Sequence, residues 1–119
     1  NDVAYSDQPV TLVGISAGIS YGQLGSTHHS LHDYAVLRTI NNLTIVSPAD
    51  NFEASEVIRR AVSFNKPLYI RYGKKPMINL HKKGSNVEIG KASIICEGND
   101  ITIIGTGETK SSGMEKRGF

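Results

Sequence analysis

The chain has 119 residues, 39% hydrophobic and 20% charged, with a formal net charge of +2 and one cysteine, Cys96. That allows one modest domain or parts of two, and it excludes an internal disulfide framework. The weak positive balance, with no Lys/Arg cluster interleaved with aromatics, argues against nucleic acid as a partner, and no apolar run has the length of a membrane span or the form of a signal peptide.

Residues 1–8 are polar and read as irregular; a polar start without Met suggests a fragment or a processed chain. Pro9 introduces the β-rich apolar run Val10–Ile15, expected as a buried strand. Residues 16–25 carry Gly18, Gly22 and Gly25 and form a loop at the strand's end, where open α/β sheets place ligands. The run Gly22-Gln23-Leu24-Gly25-Ser26-Thr27-His28-His29 joins small residues, which allow close backbone approach, to a dense set of imidazoles. A helix is expected from an N-cap at Ser30, with Asp33 near its positive end and Leu31, Tyr34, Ala35 and Arg38 at helical spacing, broken by Asn41-Asn42.

Leu43–Val46 is the second strand, followed by the turn Ser47-Pro48. Asp50-Asn51-Phe52-Glu53 has the form of a capping box, and Ala54, Val57, Ile58, Ala61 and Val62 make the apolar stripe of the clearest helix, ended by Asn65-Lys66-Pro67. Leu68–Tyr72 is the third strand, with Arg71 near its carboxyl end. Strands alternating with helices imply an α/β fold with a mainly parallel sheet. Residues 73–84 are basic and read as a linker, with Lys74-Lys75 as solvated loop charges. Residues 92–96 and 101–105 are expected as two antiparallel strands around the turn 97–100, with Cys96 a buried, inert thiol. Residues 105–108 turn toward a further helix, and 110–119 carry little apolar periodicity.

Two residues invite chemistry and each has a plainer reading. His28 is a substrate contact or a loop histidine, and the flanking Gly and Thr favour the first. Arg71, near the carboxyl end of its strand, has the plain reading of a strand-end arginine paired to a carboxylate. The pair His28 and His32, with His29 and Asp33 nearby, raises a small zinc module, but no Cys is close and His81 is far along the chain. His29 and His32 read as a loop residue and a solvated helix residue.

The motifs Gly25-Ser26-Thr27-His28-His29, Leu37-Arg38, Leu43–Asp50 with Glu53, and Pro67–Arg71 occur in order. Together they resemble the pyrimidine-binding domain of transketolases and of the related 1-deoxyxylulose-5-phosphate synthases. Residues 90–108 resemble the entry strands of that family's C-terminal domain. The resemblance implies a truncated three-layer α/β fold of the thiamine-diphosphate-binding type. Residues 1–76 would be the second half of the pyrimidine domain, 77–91 a linker and 92–119 the start of the C-terminal domain.

It implies, further, an enzyme that moves a two-carbon ketol unit between phosphorylated sugars with thiamine diphosphate and Mg2+; the lone cysteine fits a reducing, cytoplasmic location. His28 would contact the substrate near its reacting hydroxyls and Arg71 would grip its phosphate. The diphosphate, metal and catalytic-glutamate motifs would lie outside this chain, which is expected to be inactive alone and to work with the remaining domains or subunit, in a homodimer. Two departures matter. Leu24 stands where transketolases have an aspartate that reads sugar hydroxyls, and Ser16-Ala17 stand where the family often has a histidine or an Asp-Arg pair. A less hydroxylated or modified sugar follows from these, or loss of catalysis, as in a non-catalytic interaction subunit derived from the family.

Overall fold

The structure, a computed structural model, describes residues 1–109. Three short strands, β1 (Thr11–Gly14), β2 (Thr44–Val46) and β3 (Leu68–Arg71), form one parallel sheet in the order β1-β3-β2. The register aligns Gly14 with Arg71 and Val46 with Ile70, so the carboxyl ends of all three strands lie on one edge. The chain therefore returns between consecutive strands by crossovers, the arrangement the strand-helix alternation predicts.

The short apolar run 68–71 places its side chains on alternate faces of the central strand. Leu68 and Ile70 are buried with Val57 of α3 (Asn51–Ala61) and with Val87, and Phe52, Ala61 and Phe64 pack around them. On the other face, Tyr69 and Arg71 both reach Asp33, the first residue of α2 (Asp33–Leu37). The two faces of β3 thus meet two different helices, a small version of the three-layer plan.

α3 forms as the capping box predicts. Asp50 takes an extended conformation and its carboxylate accepts the amide of Glu53 at 2.6 Å, while Glu53 Oε2 accepts the amide of Ala49 at 2.6 Å. The helix stops at Ala61, short of the expected 65–67, because Ser63 and Phe64 fold into tight turns on Arg60 and Ala61. Only Val57 of its stripe is fully buried; Ile58 and Val62 are exposed.

Several expectations are corrected. α2 begins at Asp33 with His32 as its cap, not at Ser30, because Ser30 exchanges both backbone bonds with Gly18 in an antiparallel bridge. β1 is an edge strand, not a buried one: Leu12 and Val13 are about half exposed, with no second strand on their outer side among the described residues. Residues 2–5 form a one-turn helix, α1, where irregular chain was expected. Residues 92–105 carry no strand, and Cys96 is exposed. Ile94, Ile101, Ile103 and Ile104 there are open to solvent, and a lone hairpin without a layer to cover it does not hold. The segment expected as a linker has no helix or strand, yet it packs on α3 through His81, Asn86 and Val87. The expectations for 110–119 lie outside the described residues. Among the described residues no helix is long and apolar enough to cross a membrane.

Candidate functional site

The strand register brings Gly14, Arg71 and the residue after β2, Ser47, to one edge. Ser47 accepts a hydrogen bond from Tyr34 at 2.8 Å and donates to the carbonyl of Arg71 at 3.4 Å, tying α2 to the ends of β2 and β3. Arg71 is buried beneath the loop that leaves β1. Its Nη1 donates to the carbonyl of Ile15 at 2.7 Å and its Nη2 to that of Ser16 at 3.4 Å. Its Nε lies 2.7 Å from Asp33 Oδ2, a close charge pair whose N–H is not aligned for a hydrogen bond.

Tyr69 donates to the same Asp33 oxygen at 3.1 Å. Burial pushes the Tyr69 phenol up; the Arg71 charge pulls against this and the Asp33 carboxylate adds to it, so the hydroxyl keeps its proton well past neutral pH. Gly14 makes room for these groups: a Cβ there would run into the Tyr69 hydroxyl and within 3.0 Å of Arg71 Nη1.

Above this buried layer stands the loop itself. Gly22 and Gly25 sit at φ 47° and 76°, conformations that cost a residue with a Cβ; Gly22 opens the single turn Gly22–Leu24, and Gly25 separates it from the single turn Ser26–His28. His28 is exposed. Its Nδ1 lies 3.0 Å from Thr27 Oγ1, leaving Nε2 for a ligand. The ring meets the edge of Tyr21 at 5.8 Å, and Lys74 Nζ lies 4.0 Å over the Tyr21 ring. One exposed cation, one aromatic face and one imidazole therefore share this corner. A cleft of about 310 Å3 opens beside it, lined by Pro48, Ala54, Tyr72, Gly73 and Lys74 among others. His29 bonds the carbonyl of Gly22 at 3.3 Å, and His32 is exposed as the cap of α2.

A second polar centre lies at the start of α3. Asp50 Oδ2 accepts the amides of Leu80 and His81 at 2.7 and 2.8 Å and faces His81 Nδ1 at 2.9 Å. Burial alone would raise this carboxyl. The hydrogen bonds from Glu53, His81 and Leu80 outweigh it and hold Asp50 below the usual carboxylate range. Among the described residues, Asp50, Glu53 and His81 are the one group of His, Cys and carboxylate side chains close enough to share a metal ion, and both Asp50 oxygens and Glu53 Oε2 are already engaged. The larger cleft, about 450 Å3, lies between His81 and Ser93, away from the strand ends.

Of the residues singled out from sequence, His28 and Arg71 both come to the carboxyl edge, His28 on the surface and Arg71 beneath the loop. Lys74 and Asp33 join them, and sequence reasoning missed both. Lys74 carried only the signal of a short basic pair, and Asp33 those of a helix start and of a neighbour to the histidine cluster.

The fold matches a known pattern. The family described as "Transketolase, pyrimidine binding domain" matches residues 1–78. The chain belongs to that family. It is 40% identical over 109 residues to a subunit of the apulose-4-phosphate transketolase of Phocaeicola vulgatus, covering 91% of this chain and 35% of that protein. It is 35% identical over 117 residues to "1-deoxy-D-xylulose-5-phosphate synthase" of Halothermothrix orenii, covering 97% of this chain and 18% of that one. A solved structure, "Split gene transketolase, inactive beta4 tetramer", shares the fold with a TM-score of 0.78 at 23% identity, over 99% of this chain and 39% of its own. The chain thus spans about a third of the transketolase subunit it matches and less of the synthase.

Proposed function

We propose that this chain carries the sugar-facing wall of a transketolase-type active site, within a larger enzyme that transfers a two-carbon ketol unit between phosphorylated sugars. The observation that carries this reading is the placement of His28, exposed on a glycine-bounded turn at the carboxyl edge of the sheet with its Nε2 available. An imidazole there can donate to or accept from a substrate hydroxyl near neutral pH.

The anionic end of the sugar has two cations at the same edge. Lys74 is exposed and already reaches over Tyr21. Arg71, proposed from sequence as the phosphate grip, is engaged by Ile15, Ser16 and Asp33, so a direct contact with phosphate requires those bonds to open. We assign the first contact to Lys74, with Arg71 behind it. Leu24, half exposed on the same loop, offers a sugar hydroxyl no hydrogen bond. This supports a substrate with fewer or rearranged hydroxyls, in keeping with a relative named for apulose 4-phosphate.

Thiamine diphosphate with Mg2+ is the cofactor proposed for the complete enzyme; it supplies a nucleophilic carbon and an electron sink. The described residues do not fit its diphosphate and metal, since their one close ligand group is spent on capping α3 and docking His81. Those groups belong to the remaining domains or subunit, proposed as this chain's partner, with a homodimer as the working assembly. The exposed Leu12, Val13, Ile15 and Ile19 supply apolar surface for such contacts. A cytoplasmic location completes the proposal and suits the exposed thiol of Cys96.

Calorimetric titration of thiamine diphosphate and magnesium into the complete protein tests the reading. Saturable binding of one cofactor per site is expected. Absence of binding at millimolar cofactor contradicts it and leaves a transketolase-derived scaffold.

A further inference from the structure

We infer that Asp33 is a positioning residue for the sugar site: a carboxylate that sets the Arg71 fork and, through it, the loop that carries His28. The kinetic part of this inference rests on the active-site reading above; the structural part stands without it.

One oxygen of Asp33 lies 2.7 Å from Arg71 Nε as an ion pair and accepts a hydrogen bond from the Tyr69 hydroxyl at 3.1 Å. The Arg71 side chain is 4% exposed and that of Asp33 16%, so this charge pair is largely removed from water. A buried guanidinium demands a counter-charge, and a carboxylate seated on the Nε side leaves the two outer nitrogens of the planar fork for other acceptors. Here these are the carbonyls of Ile15 and Ser16. Ser16 sits at φ 62°, in the left-handed region that a residue with a Cβ rarely adopts, and the Arg71 bond to its carbonyl helps to hold it there.

Ser16 opens the loop and Asp33 closes it. Between them the antiparallel bridge of Gly18 with Ser30 pins the loop's base. His28 rides on the arc between the bridged residues. The chain is thus tied at its exit from β1 and at its entry to α2 to one buried guanidinium, and Asp33 is the group that orients that guanidinium. Lysine could not reproduce this, because a point charge carries no fork. The Tyr69 hydroxyl adds a second, neutral hold on the same oxygen.

The consequence is a loop whose competent form is selected before substrate arrives. If the clamp is loosened, only a fraction of molecules present His28 correctly. Apparent affinity falls by that fraction while a saturating substrate still draws the population back, so KM moves and kcat does not.

The test uses the complete enzyme, loaded with cofactor, with apulose 4-phosphate as the probe substrate and two variants, Asp33→Asn and Tyr69→Phe. Asp33→Asn is expected to raise KM about tenfold with kcat within about twofold, and Tyr69→Phe to raise KM about threefold. Hydrogen exchange supplies a readout independent of turnover: the amides of Gly18 and Ser30 are expected to exchange about tenfold faster in Asp33→Asn, with α3 amides unchanged. Unchanged KM in both variants, or a fall in kcat with KM unchanged, overturns the inference. So does equal acceleration of exchange in the loop and in α3, which is general destabilisation. If Asp33→Asn does not fold, Tyr69→Phe decides alone by the same two readouts, since it removes only a hydroxyl. If the enzyme turns over neither apulose 4-phosphate nor any other phosphorylated ketose, the active-site reading fails, and loop-selective exchange still decides whether Asp33 positions the loop.

Discussion

His81 Nδ1 lies 2.9 Å from Asp50 Oδ2, across 31 positions of chain, and the same oxygen takes the amides of Leu80 and His81. The helix cap therefore doubles as the docking point for the segment after β3.

This pairing makes stability acid-sensitive in a defined direction. The folded Asp50 carboxyl is held below its ordinary value, so the unfolded chain binds a proton more readily than the folded one in acid. Its contribution is complete above the unfolded value, about 3.9, and is lost as the pH falls through the lower folded value. Urea unfolding midpoints between about pH 5 and pH 2 should fall less steeply for Asp50→Asn than for the wild type. Parallel curves would remove Asp50 as the source.

Removing the ring should loosen the docked segment. His81→Ala loses the bond to Asp50 and the stacking on Phe52 at a centroid distance of 6.2 Å. A loss of about 1–3 kcal/mol in urea unfolding is expected, against about 0.5 or less for a substitution on a freely solvated linker. A value in the second range would mean that the segment does not pack as described.

Gly14 should tolerate no side chain while Tyr69 keeps its hydroxyl. Gly14→Ala places a methyl against that hydroxyl and Arg71 Nη1, and a cost of about 1–3 kcal/mol is expected. Adding Tyr69→Phe removes one of the two colliding groups, so the double variant should be more stable than the sum of the singles. A thermodynamic cycle from four unfolding curves measures this, and strict additivity would contradict the packing at this corner.

Lys74 and the substrate's charge should be linked. Lys74→Ala in the complete enzyme is expected to raise KM about tenfold for a phosphorylated sugar and to leave the unphosphorylated analogue within about twofold, as one charge-assisted contact warrants. Equal effects on both substrates would place Lys74 outside the anion contact.

What could be read from sequence was what is local. The cap of α3 was legible because Asp50 and Glu53 lie three residues apart and answer each other's backbone. The strands were legible as short apolar runs, but such a run does not say which position in the sheet it takes: β3 proved to be the centre, and β1, like β2, an edge. Leu12 and Val13 of β1 stay half exposed for that reason. Nothing local announces that His81 returns to Asp50 or that Arg71 meets Asp33; both pairings are made by the crossovers. For Arg71, the resemblance implied a phosphate partner and the residue alone a carboxylate, and the structure places Asp33 against it. Residues 101–105 have the composition of a strand but no neighbour to pair with among the described residues.

The central claim is that His28 faces the sugar, and the most direct measurement is kcat/KM for a phosphorylated ketose with the complete enzyme and its His28→Ala variant, paired with thiamine diphosphate affinity by calorimetry. The account predicts a fall of more than about tenfold in kcat/KM, the loss of one transition-state contact, with cofactor affinity nearly intact. Unchanged kinetics in a variant that still binds cofactor would remove His28 from the site and contradict the account.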